Sequence, residues 1–175
     1  QDGLMVIGAW TIENLVVKDD TVAEASVVID HQFDEVSRRL DVTVSGQVAN
    51  TDRNAYLLSI LIKENGLVGR QEDAYCSWKG AKWQEYMHPR VVRDFVTATF
   101  GDTVRVENQA YNYTTSYIID ETWVPENCCV VAYLTPLEKS PVINAEQVAL
   151  VAGTEGGEQY GPYGITEGKG PNTSI

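Results

Sequence analysis

A chain of 175 residues with 43% hydrophobic and 22% charged residues is ordinary soluble-domain material, long enough to bury a core without staples. Its formal charge of −12 repels phosphate backbones, so nucleic acid is excluded as a natural partner. The charge is uneven: residues 1 to 37 hold eight acids and one base, residues 38 to 149 fourteen acids and eleven bases. No apolar stretch is long enough to span a bilayer. The start at Gln1-Asp2 carries no signal peptide and reads as a mature or excised fragment.

In chain order, residues 4 to 17 are mixed apolar sequence around Trp10 without a clear period. Ala23, Ala25, Val27 and Ile29 alternate with Glu24, Ser26 and Asp30, which predicts a strand. His31 to Ser37 reads as a turn-forming patch. Leu40, Val42, Val44 and Val48 then alternate with polar residues, with Gly46 in an apolar slot; this is a half-buried strand. After the polar turn Ala49 to Asn54, Tyr56 to Ile62 is apolar on both faces and predicts a central, doubly covered strand.

Asn65-Gly66 tolerates positive φ and is the strongest hairpin signal in the chain. Residues 74 to 90 break the pattern with clustered aromatics and bases. Strand-like sequence returns at Val91 to Thr99, Thr103 to Val106, Ala110 to Ile119, Cys128 to Leu134 and Val142 to Leu150. One contiguous core is expected from Leu40, Val42, Val44, Leu58, Ile60, Ile62, Val131 and Tyr133. Residues 153 to 175 differ in kind, with seven glycines, two prolines and few aliphatics. Tyr160, Tyr163 and Ile165 are the groups able to hold this segment down as a docked strap.

About eight strands at irregular spacing, with no helical period and no internal repeat, predict an all-β, immunoglobulin-like antiparallel sandwich. A jelly roll is the alternative, because strand order is not readable from sequence. The division is a sandwich domain over residues 1–152 and a glycine-rich C-terminal strap over 153–175.

The middle of the chain is familiar. Leu58 to Gln71, with Asn65-Gly66-Leu67-Val68-Gly69-Arg70-Gln71, resembles the outer-membrane-protein-28-related family of Bacteroidetes envelope lipoproteins. Tyr86-Met87-His88-Pro89-Arg90-Val91-Val92-Arg93 is similar to that family's His-x-x-Val-Leu-Arg stretch, and the likeness resumes at Asn127 to Leu134 and Val142 to Val148. It covers roughly residues 24 to 150. The resemblance implies the C-terminal β-sandwich portion of such proteins, at the outer-membrane side of the cell envelope, periplasmic or surface-exposed. It also implies an upstream thioredoxin-like portion in longer relatives. It carries no catalytic residue, so no enzyme is expected.

The candidate binding surface lies between residues 75 and 93. Tyr75, Trp78, Trp83 and Tyr86 are interleaved with Lys79, Lys82, Arg90 and Arg93, and His88 joins them. A positive, aromatic loop on an acidic protein is suited to stack sugar rings or clamp a partner protein. The alternative is that the tryptophans cap an open end of the sandwich. His88 precedes Pro89 in extended backbone and reads as structural, though Asp94 and Glu85 lie close in sequence for a hydrolase-like site.

No metal or cofactor is expected. His31 and His88 lack paired spacing, and Asp19-Asp20 and Asp34-Glu35 lack calcium-loop order. Cys76, Cys128 and Cys129 form no Cys-x-x-Cys motif. Adjacent strand residues face opposite ways, so at most one of Cys128 and Cys129 can pair with Cys76 in an oxidising compartment. Thr21 and Thr103, each in an Asp-Thr-Val triplet, match the O-glycosylation pattern of envelope proteins from that phylum. The leading expectation is a non-catalytic envelope module binding a partner protein or glycan. The second is a structural domain supporting an upstream half.

Overall fold

The structure, a computed structural model, describes residues 24–72, 82–139, 141–154 and 156, and the side chains of residues 70–72 and 82–86 lie outside that description. Ten strands appear among the described residues: β1 (Val28–Asp34), β2 (Arg39–Gln47), β3 (Ala55–Glu64), β4 (Leu67–Glu72), β5 (Lys82–His88), β6 (Val91–Phe95), β7 (Asp102–Arg105), β8 (Ala110–Ile118), β9 (Cys128–Thr135) and β10 (Asn144–Ala149).

They form two antiparallel sheets facing each other. One has the order β1-β2-β8; the other runs β10-β9-β3-β6, with β7 sharing the β6 edge of β3. β7 lies beside Ala55 to Leu58 and β6 beside Leu61 to Glu64. The chain changes sheet between β2 and β3, between β7 and β8, and again between β8 and β9. Three strands facing five, with the chain crossing between the sheets, make an antiparallel sandwich of the immunoglobulin-like kind.

The alternation on β2 holds: Leu40, Val42, Val44 and Val48 are buried. Gly46 fills its apolar slot because nothing larger fits. A Cβ there would lie 2.0 Å from the Ser26 carbonyl oxygen and 2.7 Å from the Tyr111 ring. β3 is central, with β9 on one edge and β6 and β7 on the other. Both faces are covered: Tyr56, Leu58, Ile60 and Ile62 fill the inter-sheet core, while Ser59, Leu61 and Lys63 are buried on the reverse.

Four expectations change. On β9 the core residues are Val130, Ala132 and Leu134, while Val131 and Tyr133 are half-buried on the other face. A strand apolar on both faces has a period but no readable phase. β1 continues through His31, Gln32 and Phe33 to Asp34, so the turn begins later than the polar composition implied. Phe33 and Leu40 are paired in register, which holds the polar run in the sheet. Residues 82 to 88, within the segment that breaks the pattern, form β5. Finally, Asn65-Gly66 is not the turn of a hairpin between its flanking strands, since β3 and β4 belong to different sheets. Gly66 has φ of 75°, but it turns the chain out of the sandwich rather than back along β3.

Candidate functional site

β4 and β5 pair antiparallel as a two-stranded sheet of their own, from Leu67 opposite His88 to Glu72 opposite Lys82. This arm leaves the sandwich after β3 and returns into β6. Its root is built by the two short motifs that carry the family resemblance. Asn65 is 2% exposed, and its Oδ1 accepts the Arg90 backbone N–H at 2.7 Å. Its Nδ2 donates to the Gly156 carbonyl at 2.5 Å, and its backbone N–H donates to the Asn127 carbonyl at 3.0 Å. Gly69 lets the His88 ring lie close: a Cβ there would meet Cδ2 and Nε2 at 3.3 Å. Arg90 adopts φ of 57° where the chain turns into β6.

Below the root lies a buried polar cluster. Ile60, Ile62 and Glu64 share one face of β3, so the Glu64 side chain enters the end of the core, 2% exposed. Its Oε1 accepts the Val124 N–H at 3.0 Å. Its Oε2 receives no hydrogen bond among the described residues and faces Arg93 Nη1 at 3.4 Å. The Arg93 guanidinium lies 5.1 Å from the Trp123 ring centroid, and Trp123 stacks on Tyr117 at 6.4 Å. Tyr117 donates its hydroxyl to Asp94 Oδ2 at 2.6 Å, tying β8 to β6 across the open side. Burial, followed by this bond, pushes the Tyr117 phenol up to about 12. From the β1–β2 turn, Arg38 donates to the carbonyls of Ile119, Asp120 and Trp123 at 3.0, 2.6 and 3.0 Å, which fixes the loop carrying Trp123.

The sequence-predicted patch therefore divides. Lys82, Trp83 and Tyr86 lie on β5, with His88 at its last position. Arg90 sits at the root. Tyr75, Trp78 and Lys79 lie outside the described residues. Arg93 sits on β6 rather than on the arm and is turned inward against Glu64 and Trp123, with its side chain 23% exposed. The register with β3 shifts between Ile62 and Lys63, and Arg93 is the β6 residue at that irregularity. Asp94, one of the carboxylates close to His88 in sequence, accepts the Tyr117 hydroxyl instead. Open grooves lie elsewhere among the described residues, including one between β1 and Leu150–Ala152, one beside Gly46 and Asn108, and one beside Arg53 and Glu138.

Cys128 is in the inter-sheet core, and its Sγ–H reaches the Val124 carbonyl at 3.3 Å. Burial, with Glu64 nearby, pushes this thiol up to about 12. Cys129 faces the other way, its Sγ–H 3.6 Å from the Gly156 carbonyl, as alternation requires. Cys76 lies outside the described residues, as does Thr21; Thr103 is exposed on β7. His31 is on β1 rather than in a turn, with Nε2 3.0 Å from the Leu150 carbonyl. Asp34 is engaged by the Ser37 N–H and hydroxyl at 2.7 and 2.6 Å, which hold its carboxyl below its ordinary value.

Sequence reasoning missed Asn65 as a tie, Glu64 as a buried acid and Trp123 as the ring beneath Arg93. Glu64 had a readable signal. It continues the parity of Ile60 and Ile62, so a strand two residues longer would have placed it in the core.

Fold and root together define an immunoglobulin-like sandwich with a hairpin inserted between two strands of one sheet. A family model described as "Outer membrane protein Omp28" matches residues 10–153, and the chain belongs to that family. Its address is the cell envelope, in association with the outer membrane. Among solved structures, HBP35 of Porphyromonas gingivalis is 18% identical over 78% of this chain, with a TM-score of 0.60, which shows the shared fold. The chain spans 45% of the length of HBP35. A domain of the outer membrane lipoprotein Omp28 from Porphyromonas gingivalis is 16% identical over 73% of this chain and 88% of its own, with a TM-score of 0.44. No curated protein matches the chain significantly. No helix among the described residues is long and apolar enough to cross a membrane.

Proposed function

We propose that this protein is a non-catalytic envelope module that binds a partner protein or glycan through the β4–β5 arm. The observation that carries the reading is the arm's independence. It forms its own sheet outside the two-sheet body, while its root is fixed by buried hydrogen bonds at Asn65. An arm rooted by buried hydrogen bonds suits recognition. Residues 65 to 90 carry four bases, Arg70, Lys79, Lys82 and Arg90, against the acids Glu72, Asp73 and Glu85. A nearly neutral arm holding Tyr75, Trp78, Trp83 and Tyr86 favours recognition by aromatic faces over charge attraction.

A second reading, a structural domain supporting an upstream thioredoxin-like half, draws on the 45% coverage of HBP35. Trp78→Ala and Trp83→Ala separate the two. On the binding reading, both variants lose retention on immobilised oligosaccharides or purified outer-membrane vesicles and keep the parent melting temperature. Strong destabilisation by both would make these residues part of the core and sink the arm as a binding surface.

A further inference from the structure

The two ends of β3 have different neighbours. At its start, Tyr56 donates its hydroxyl to Glu24 Oε1 at 2.7 Å, and Arg53 lies between Glu24 and Glu138. At its finish, one strand of ten residues away and so about 30 Å distant, stand the arm root and Gly156. The described chain thus begins at one end of the sandwich and, by Gly156, has reached the end that bears the arm. There a single side chain touches both. Asn65 holds the returning limb of the arm through Oδ1 and the departing C-terminal segment through Nδ2.

Gly156 is suited to that position alone. It is buried with φ of 55°, and a Cβ on it would lie 2.2 Å from Cys129 Sγ and 3.0 Å from the Cys128 carbonyl oxygen. The segment is seated on β9 closely enough that only glycine fits. Its carbonyl accepts from both Asn65 and Cys129. Leu150 N–H to Cys128 O at 2.9 Å, and Thr154 N–H and hydroxyl to Val151 O at 3.2 and 2.8 Å, lead the chain into this seat.

We infer that Asn65 is a positioning residue that couples the chain at Gly156 to the arm: the seated Gly156 fixes the Asn65 amide, and the fixed amide holds the arm's root. Gly66, at φ of 75°, is the joint about which the arm swings when that lock opens. A buried amide with only one of its two partners is free to rotate out of line, so losing Gly156 weakens the bond to Arg90 as well. Displacing Gly156 from its seat therefore loosens the arm. The coupling is independent of what the arm binds.

Hydrogen exchange on the full chain tests this without a ligand. Gly156→Ala displaces residue 156 from its seat on β9; Asn65→Asp keeps the acceptor for Arg90 and loses the donor to Gly156. Each variant is expected to speed exchange of the β4–β5 amides roughly tenfold, the loss expected from one buried hydrogen bond. Amides of β2 and β8 should keep their parent rates. The double variant should be no faster than either single one, because both break the same link. Unchanged arm exchange in Gly156→Ala overturns the coupling, as does a double variant whose effects multiply. A rise spread equally over all strands overturns it too, since that is global unfolding. Should Asn65→Asp fail to fold, Gly156→Ala decides alone: acceleration confined to the arm sustains the coupling, and uniform or absent acceleration ends it.

Discussion

Each end of β3 carries an arginine between acidic and aromatic partners, and the two clusters differ mainly in burial. At the Glu24 end, Arg53 keeps 37% of its side chain exposed and pairs with Glu138 at 2.9 Å and Glu24 at 3.6 Å, which are 69% and 32% exposed. At the arm end, Arg93 faces a Glu64 that is 2% exposed. Water screens the first cluster and barely reaches the second, so the same chemistry decorates one end and supports the other. Arg93→Ala should show this most strongly. It strands the Glu64 carboxylate in the core, and the expected cost is about 4 kcal/mol by denaturant titration. Glu64→Ala should cost less, about 2 kcal/mol, because a guanidinium that is partly exposed can still hydrate. The reverse order would mean that Trp123, rather than Glu64, is the partner that matters for Arg93.

This contrast was only half legible in the sequence. The alternation of Leu40, Val42 and Val44 gives both the strand and its phase, because polar residues mark the other face. Tyr56 to Ile62 gives a central strand, and the structure agrees. On β9 the run Cys128 to Leu134 has no polar marker, so its phase came from the opposing sheet. Leu134→Ala should therefore cost about 3 kcal/mol and Val131→Ala about 1 kcal/mol; equal costs would erase the distinction between the two faces. Asn65-Gly66 shows the other limit. Local turn chemistry recognises that the chain bends, but the direction is set by Arg90, Asn127 and Gly156, which are distant in sequence. Arg93 lies near the arm along the chain, but on β6 it meets Glu64 and Trp123 at a break in the register with β3, which no local pattern announces.

The tyrosines offer a case in which the two ends should agree. Tyr56 bonds Glu24 at one end and Tyr117 bonds Asp94 at the other, at 2.7 and 2.6 Å. Burial first, then the acidic partner, pushes both phenols up to about 12. The folded state thus holds these protons more tightly than the unfolded chain, whose tyrosines titrate near 10. That contribution is complete below pH ~10 and is lost as pH rises towards ~12. Tyr56→Phe and Tyr117→Phe should each flatten the alkaline fall in melting temperature and cost about 1 kcal/mol at neutral pH. An alkaline slope unchanged in both would show that other groups control it.

The smallest effect belongs to Arg53. The pull of Glu138 and Glu24 raises its pKa, but a guanidinium is charged at every working pH, so the shift has no bearing on protonation. What remains is a surface pairing between long side chains. Ordering them costs side-chain entropy, and the Coulomb attraction is weak in water. Arg53→Ala should thus cost less than about 1 kcal/mol, and raising salt to about 1 M, where the Debye length falls to roughly 3 Å, should remove most of that. The penalty of Arg93→Ala should survive the same salt, since ions do not enter the space around Glu64. If both penalties fell together, the Glu64 cluster would be open to solvent. The division between a screened end and a supporting end of β3 would then be wrong.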